Sequence, residues 1–147
     1  MTQLHRSALL PYPVAEVFAI VNDVEHYPEF LPWCKSVSVL VNEPGSVVAT
    51  LAVEARGIKE HFTTSNTLVK DKWIRLRLVE GPFSHFDGEW RFTEVGGEQG
   101  CKVELELSFG FSGAKSLLAV AFKRVFSHAA DSLMDAFCKR AHQRLSG

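Results

Sequence analysis

"CKVELELSF" (Cys101–Phe109) alternates without a fault. Cys101, Val103, Leu105, Leu107 and Phe109 fall on one side, Lys102, Glu104, Glu106 and Ser108 on the other. A period of two that separates apolar from polar residues predicts a strand with one buried and one wet face, the habit of antiparallel sheets. The same period recurs upstream. In "VVATLAVEA" (47–55), Val47, Ala49, Leu51, Val53 and Ala55 share a side. In "KWIRLRLV" (72–79), Ile74, Leu76 and Leu78 do so less perfectly, and in "HFDGEWRF" (85–92) Phe86, Trp90 and Phe92 fall together. Turn residues punctuate these runs at "NEPGS", "ARG", "VKD", "EGP" and "VGGEQG". Six strands are expected in this middle region, after a first one over residues 3–10.

Helical signals stand on both sides. Pro13 suits the first position of a helix, where its missing N–H would be unpaired anyway. Val14, Val17, Phe18 and Val21 then follow the i, i+3, i+4, i+7 spacing of one buried face. Next comes "HYPEFLPWC" (26–34), too rich in proline for a regular helix and too apolar for an ordinary solvated loop. Its "YPEFLP" predicts one helical turn begun by Pro28 and closed by Pro32, which pushes Leu31 out of helical geometry. At the other end Ser112 is a good N-cap. Leu118, Phe122, Val125, Ala129, Leu133, Ala136 and Phe137 make an apolar stripe on a helix running to about Leu145, about 45–50 Å long at 1.5 Å per residue. So long a greasy face needs a long greasy partner, and a curved sheet supplies it. The expected class is α+β: a curved antiparallel sheet wrapped around a long C-terminal helix, with two short helices after strand one, in a single domain over residues 1–147.

Composition sets bounds. The 147 residues are 46% hydrophobic and 22% charged, ordinary for a globular domain with a real core. No apolar run approaches the ~20 residues of a membrane span. The start, "MTQLHRSALLPYP", has neither a signal-peptide apolar core nor transit-peptide character, so a cytoplasmic protein is expected. Cys34, Cys101 and Cys138 are odd in number and far apart, which points to free thiols rather than disulfides or zinc. The net charge of −1 is uneven. Lys115, Lys123, Arg124, Lys139, Arg140 and Arg144 against Asp131 and Asp135 leave the C-terminal segment net basic, either as a partner surface or as a solvated helix face.

One helix does not fill a curled sheet. Either large side chains close the gap or it stays open as an apolar pocket; the eleven Phe and three Trp suit both designs. Thr63 to Thr67 form a polar run in an expected strand, and alternation sends Phe62, Thr64, Asn66 and Leu68 inward. A buried amide needs a partner, whether ligand, neighbouring strand or water. Phe30, Leu31 and Trp33 can cap one end of the space, as a permanent plug or as a gate. No motif for covalent catalysis, phosphate binding or zinc hydrolysis is present. His85, Asp87 and Glu89 share a strand face opposite Phe86 and Trp90, so they are expected in solvent, and His128 on the flank of the long helix.

"ALLPYPVAEVFAIVNDVEHYPEFLPWC", "FTTSNTL", "LVEGPF…GEWRF" and the long final helix together resemble the coenzyme Q-binding, polyketide cyclase-like family of the START-like superfamily, over essentially the whole chain. The resemblance implies a helix-grip fold with an apolar cavity. It also implies two roles. Mitochondrial members look like quinone chaperones; bacterial members include a ribosome-association toxin that binds the large subunit and blocks its pairing with the small one. On the first reading the chain is a non-enzymatic carrier of ubiquinone or a similar polyprenyl lipid, held as ligand rather than cofactor and collected by transient contact with the inner membrane. Each buried five-carbon isoprene unit is worth about 4 kcal/mol, so such a lipid does not cross water unaided. Tyr27, Phe30, Leu31 and Trp33 would form the mouth, Phe62, Phe83, Phe109, Leu118, Phe122 and Phe126 apolar walls, and Thr64 and Asn66 would read the ring oxygens. On the second, Lys115, Lys123, Arg124, Lys139, Arg140 and Arg144 would meet rRNA phosphates. A cyclase-like enzyme ranks third, since no charged set faces inward. No DNA partner is expected.

Overall fold

The computed structural model describes residues 2–111 and 117–146, apart from the side chains of Glu98, Leu117 and Leu118. The expected cap Ser112 and the basic Lys115 therefore lie outside the described residues. The chain runs β1 (Thr2–Leu10), α1 (Val14–Asn22), a 3-10 helix (Val24–Glu29), β2 (Cys34–Glu43), β3 (Ser46–Ala55), β4 (Ile58–Val69), β5 (Trp73–Glu80), β6 (His85–Val95), a 3-10 turn (Gly97–Gln99), β7 (Gly100–Gly110) and α2 (Leu117–Leu145). The strands form one antiparallel sheet in the order β1-β7-β6-β5-β4-β3-β2. Neighbours in sequence pair by short turns, and β1 returns to pair with β7. Two irregularities in β2, at Cys34/Ser36 and Val39/Val41, break the flatness of that free edge, which discourages pairing with another chain.

The alternation holds. Cys101, Val103, Leu105, Leu107 and Phe109 are all buried, as are Val47, Ala49, Leu51 and Val53. Across β6 and β7, Phe86 lies opposite Phe109, Trp90 opposite Leu105 and Phe92 opposite Val103, so the inward sets meet in register. On the outer face Arg91 lies beside Glu89, Glu104 and Glu106.

Two local expectations shift. Pro13 stands one place before α1, with φ −59° and ψ 144°. From there its carbonyl accepts the N–H groups of Glu16 at 3.0 Å and Val17 at 3.2 Å, so it fixes the approach to the helix rather than opening it. Val17, Phe18 and Val21 are buried as the spacing predicts. The 3-10 helix begins at Val24 and carries Pro28 inside it. The reason is that the Asp23 carbonyl already accepts the His26 N–H, while the Phe30 and Leu31 N–H groups both turn back to the Tyr27 carbonyl. Pro28, which has no N–H to place, costs that turn nothing.

α2 has 29 residues, about 44 Å, and lies across the concave face. It is tied down along its length: Asp131 to Arg6 at 3.0 Å, Arg140 to Glu29 at 2.8 Å, and His142 Nδ1 to the Tyr12 hydroxyl at 2.6 Å. Among the described residues no helix is long and apolar enough to cross a membrane. The three cysteines are free. Burial pushes the Cys34 and Cys101 thiols up to about 11, so both stay protonated at neutral pH.

Candidate functional site

The space between sheet and helix is divided. Towards the start of α2 it is filled by Phe62, Phe83, Phe86, Phe109, Phe111, Phe122 and Phe126, with ring centroids 4.9 to 6.4 Å apart and mostly edge-on. Towards the middle of α2 an inner cavity of about 80 Å³ remains. Its sheet wall includes Ala49, Leu51, Phe62, Thr64, Asn66, Leu76, Trp90, Leu105 and Leu107, and its helix wall Phe126, Ala129, Ala130, Leu133 and Phe137. Small residues account for the room at Ala49, Ala129 and Ala130. Gly88 contributes from below: a Cβ there would stand 2.9 Å from Leu107 Cδ1 and 3.4 Å from Leu76 Cδ1, both on the wall.

The lid is the strap from Val24 to Trp33, which carries Pro28 and Pro32. Val24, Tyr27, Leu31 and Trp33 close one side of the cavity. Tyr27 donates its hydroxyl to the Val21 carbonyl, and burial pushes that phenol's pKa up. Tyr27, Phe30 and Phe137 pack edge-on at 5.2 to 5.8 Å. Arg140 stacks over Phe30 at 5.0 Å and pairs with Glu29, whose carboxyl it holds below the usual range. The Trp33 carbonyl accepts the Glu54 N–H at 2.9 Å, joining the strap to β3.

Outside the strap runs an open groove of about 830 Å³, between Pro32–Trp33, the β3–β4 turn (Ala55, Arg56, Ile58) and the outer flank of α2 (Val120, Ala121, Arg124, Val125, His128). Trp33 and Ala129 line both the groove and the inner cavity. They are the partition between the two chambers.

The cavity's polar wall follows from the β4 alternation: Phe62, Thr64, Asn66 and Leu68 are all buried. Thr63 is buried too, with its hydroxyl 2.7 Å from that of Thr50. Asn66 has no such arrangement. It is 5% exposed and its Oδ1 has no hydrogen-bond partner in the protein, a condition that typically costs about 1–3 kcal/mol.

Of the residues singled out from sequence, Tyr27, Leu31, Trp33, Phe62, Thr64, Asn66 and Phe126 come together on the cavity. Phe83, Phe109 and Phe122 do not; they pack into the aromatic end, because alternation tells which way a side chain points and not how far along the strand the space lies. Phe30 turns outward to Arg140 and a shallow groove with Asp23 and His26. The Leu118 side chain lies outside the described residues. Sequence reasoning missed Leu105, Leu107, Trp90, Leu133 and Phe137 as wall residues, although their periodicity had marked them as inward.

The basic segment is not one stripe. Lys123, Arg124, Lys139 and Arg144 are exposed, Asp131 and Asp135 interrupt them, and the Arg140 side chain is only 11% exposed in its pair with Glu29. His85 sits 3.1 Å from the Ser108 hydroxyl, and Asp87 is exposed. Among the described residues no cluster of three or more His, Cys, Asp or Glu is placed to hold a metal.

A curved seven-stranded antiparallel sheet gripping one long helix over an apolar cavity is the helix-grip arrangement of START-like proteins. The chain belongs to the family described as "Polyketide cyclase / dehydrase and lipid transport", whose model matches residues 10–138. It is 42% identical over 142 residues to a Pseudomonas aeruginosa protein named ribosome association toxin RatA, covering 97% of this chain and 96% of that one. It is 29% identical to the coenzyme Q-binding protein COQ10 homolog B of Xenopus laevis, over 92% of this chain and 56% of that longer one. The crystal structure of the ZhuI aromatase/cyclase of Streptomyces sp. R1128 superposes with a TM-score of 0.76 at 20% identity, covering 99% of this chain and 98% of that one, a likeness of fold.

Proposed function

We propose that this chain is a ribosome-association factor of the RatA kind, which binds the large ribosomal subunit and limits its joining to the small one. The observation that carries the reading is the 42% identity to the Pseudomonas protein of that name across nearly the full length of both chains. Exposed Lys123, Arg124, Lys139 and Arg144 offer rRNA phosphates the contacts that such binding uses. The activity is one of association, with no bond-making step. Overproducing the chain is expected to lower the 70S peak of a sucrose gradient while free subunits rise, and the effect should weaken as salt is raised. An unchanged 70S peak under heavy overproduction refutes the proposal.

A second reading rests on a different part of the molecule. The partitioned cavity and groove, with an unpartnered amide oxygen on the wall, favour binding of an apolar molecule such as ubiquinone or another polyprenyl lipid. The likeness to a coenzyme Q-binding protein supports it. Lys123, Lys139 and Arg144 line neither the inner cavity nor the open groove, while Arg124 borders the groove, so the two activities meet only at that residue. Organic extraction of protein purified from its native cells is expected to yield an apolar molecule in near-stoichiometric amount. An empty extract, together with no binding of added apolar probes, sinks this reading.

A further inference from the structure

We propose that the cavity selects a ring bearing a free hydroxyl, a phenol or hydroquinone, over the oxidised quinone of the same skeleton, with the attached chain lying in the groove beyond Trp33. The inference deepens the ligand-binding reading and rests on it. It begins at Asn66, 95% buried on the cavity wall with an amide oxygen that no protein group satisfies. An amide oxygen only accepts. A quinone offers acceptors alone, so it leaves that oxygen unmatched. A hydroquinone or phenol O–H donates to it, and the ligand's own hydroxyl oxygen can still accept from a neighbour. Turning the amide half over, so that its N–H₂ meets a quinone carbonyl, does not remove the conflict. The oxygen then still lacks a donor, since a quinone has none to give. Nearby polar groups do not change this. The Tyr27 hydroxyl is committed to the Val21 carbonyl, and Thr64 can serve either oxidation state.

The two volumes assign the rest of the molecule. The inner cavity, at about 80 Å³, is about half the ~150 Å³ of an engineered apolar cavity that takes benzene. A ring is therefore admitted only as the partition moves, and Trp33, half-buried and shared by both chambers, is the movable part of it. The groove of about 830 Å³ has aliphatic walls at Pro32, Ile58, Val120 and Val125, which suit a prenyl or alkyl chain, beside polar Glu54, Arg56, Arg124, His128 and Ser132.

The test uses the full chain and three short-chain probes: a prenylated benzoquinone, its hydroquinone kept reduced under anaerobic conditions, and the hydroquinone dimethyl ether, which has no O–H. Binding is followed by quenching of tryptophan emission, since Trp33 and Trp90 line the cavity. The hydroquinone is expected to bind about tenfold more tightly than the quinone or the ether. Asn66→Leu is expected to keep binding and lose the preference. Equal or tighter binding of the quinone, or an ether as tight as the hydroquinone, overturns the inference while leaving the ligand-binding reading in place. Persistence of the preference in Asn66→Leu overturns it as well. If none of the three probes binds, the ligand-binding reading falls and the inference with it. The ether arm needs no variant, so the proposal stays testable even where Asn66→Leu fails to fold.

Discussion

Phe137→Ala is expected to remove about 3–5 kcal/mol of folding stability, the range for emptying a buried phenylalanine site. Phe137 is 5% exposed, and its ring meets Tyr27 at 5.3 Å, Phe30 at 5.2 Å and Trp90 at 5.1 Å, each edge-on. That ring thus ties the strap, the long helix and the sheet together. Truncation opens a void continuous with the inner cavity, because Phe137 is part of its wall. Against a total stability of about 5–15 kcal/mol the loss is severe, and for a domain of this size it lowers the melting temperature by about 10 °C. Phe137→Leu keeps much of the volume and should cost less than half as much. Chemical and thermal denaturation followed by circular dichroism read both variants. A loss below about 1 kcal/mol for the alanine variant would mean that strap and helix are held independently of each other.

The same ring shows what sequence reveals and what it hides. The period of two in Cys101–Phe109 and Val47–Ala55 was enough to give the sheet, its sidedness and its inward residues, because burying one face is the dominant energy and alternation records it directly. The long helix and its stripe were legible for the same reason. The boundary between filled core and open space was not. Phe109 and Leu107 lie two residues apart on one face of β7, yet Phe109 packs among aromatic rings while Leu107 borders the cavity. Their difference depends on which residues of α2 lie above them: Phe122 and Phe126 fill one end, Ala129 and Ala130 leave room at the other. That pairing is long-range, and no local pattern encodes it. Arg140 is a second case. Its charge placed it among candidate rRNA contacts, but Glu29, 111 positions away in sequence, holds it at 2.8 Å. Asn66 is the reverse case. A polar residue on an inward position violates the pattern locally, and such a violation marks the place where energy other than packing is at stake.

Gly81→Ala asks whether the aromatic end of the core is as fixed as the partition at Trp33 is movable. Gly81 sits in the turn between β5 and β6, and a Cβ there would stand 2.6 Å from Phe62 Cβ and 3.3 Å from Phe62 Cα. The second contact is with backbone, so no change of rotamer relieves it. The φ of +156° adds a conformation that side chains other than glycine avoid. Phe62 in turn packs on Phe83, Phe86 and Phe126 at 5.5 to 5.9 Å, so a displacement of its backbone spreads into the cluster. Overpacking and backbone strain together are expected to cost about 2–4 kcal/mol. Gly57→Ala is the control: φ is +81° there and nothing lies within 4 Å of the added carbon, leaving the conformational penalty of about 1 kcal/mol alone. Denaturation midpoints should therefore separate the two variants clearly. If Gly81→Ala costs no more than Gly57→Ala, the β5–β6 turn swings away from β4 freely. The cavity would then be able to widen from its aromatic end, and Trp33 would no longer be the necessary point of admission.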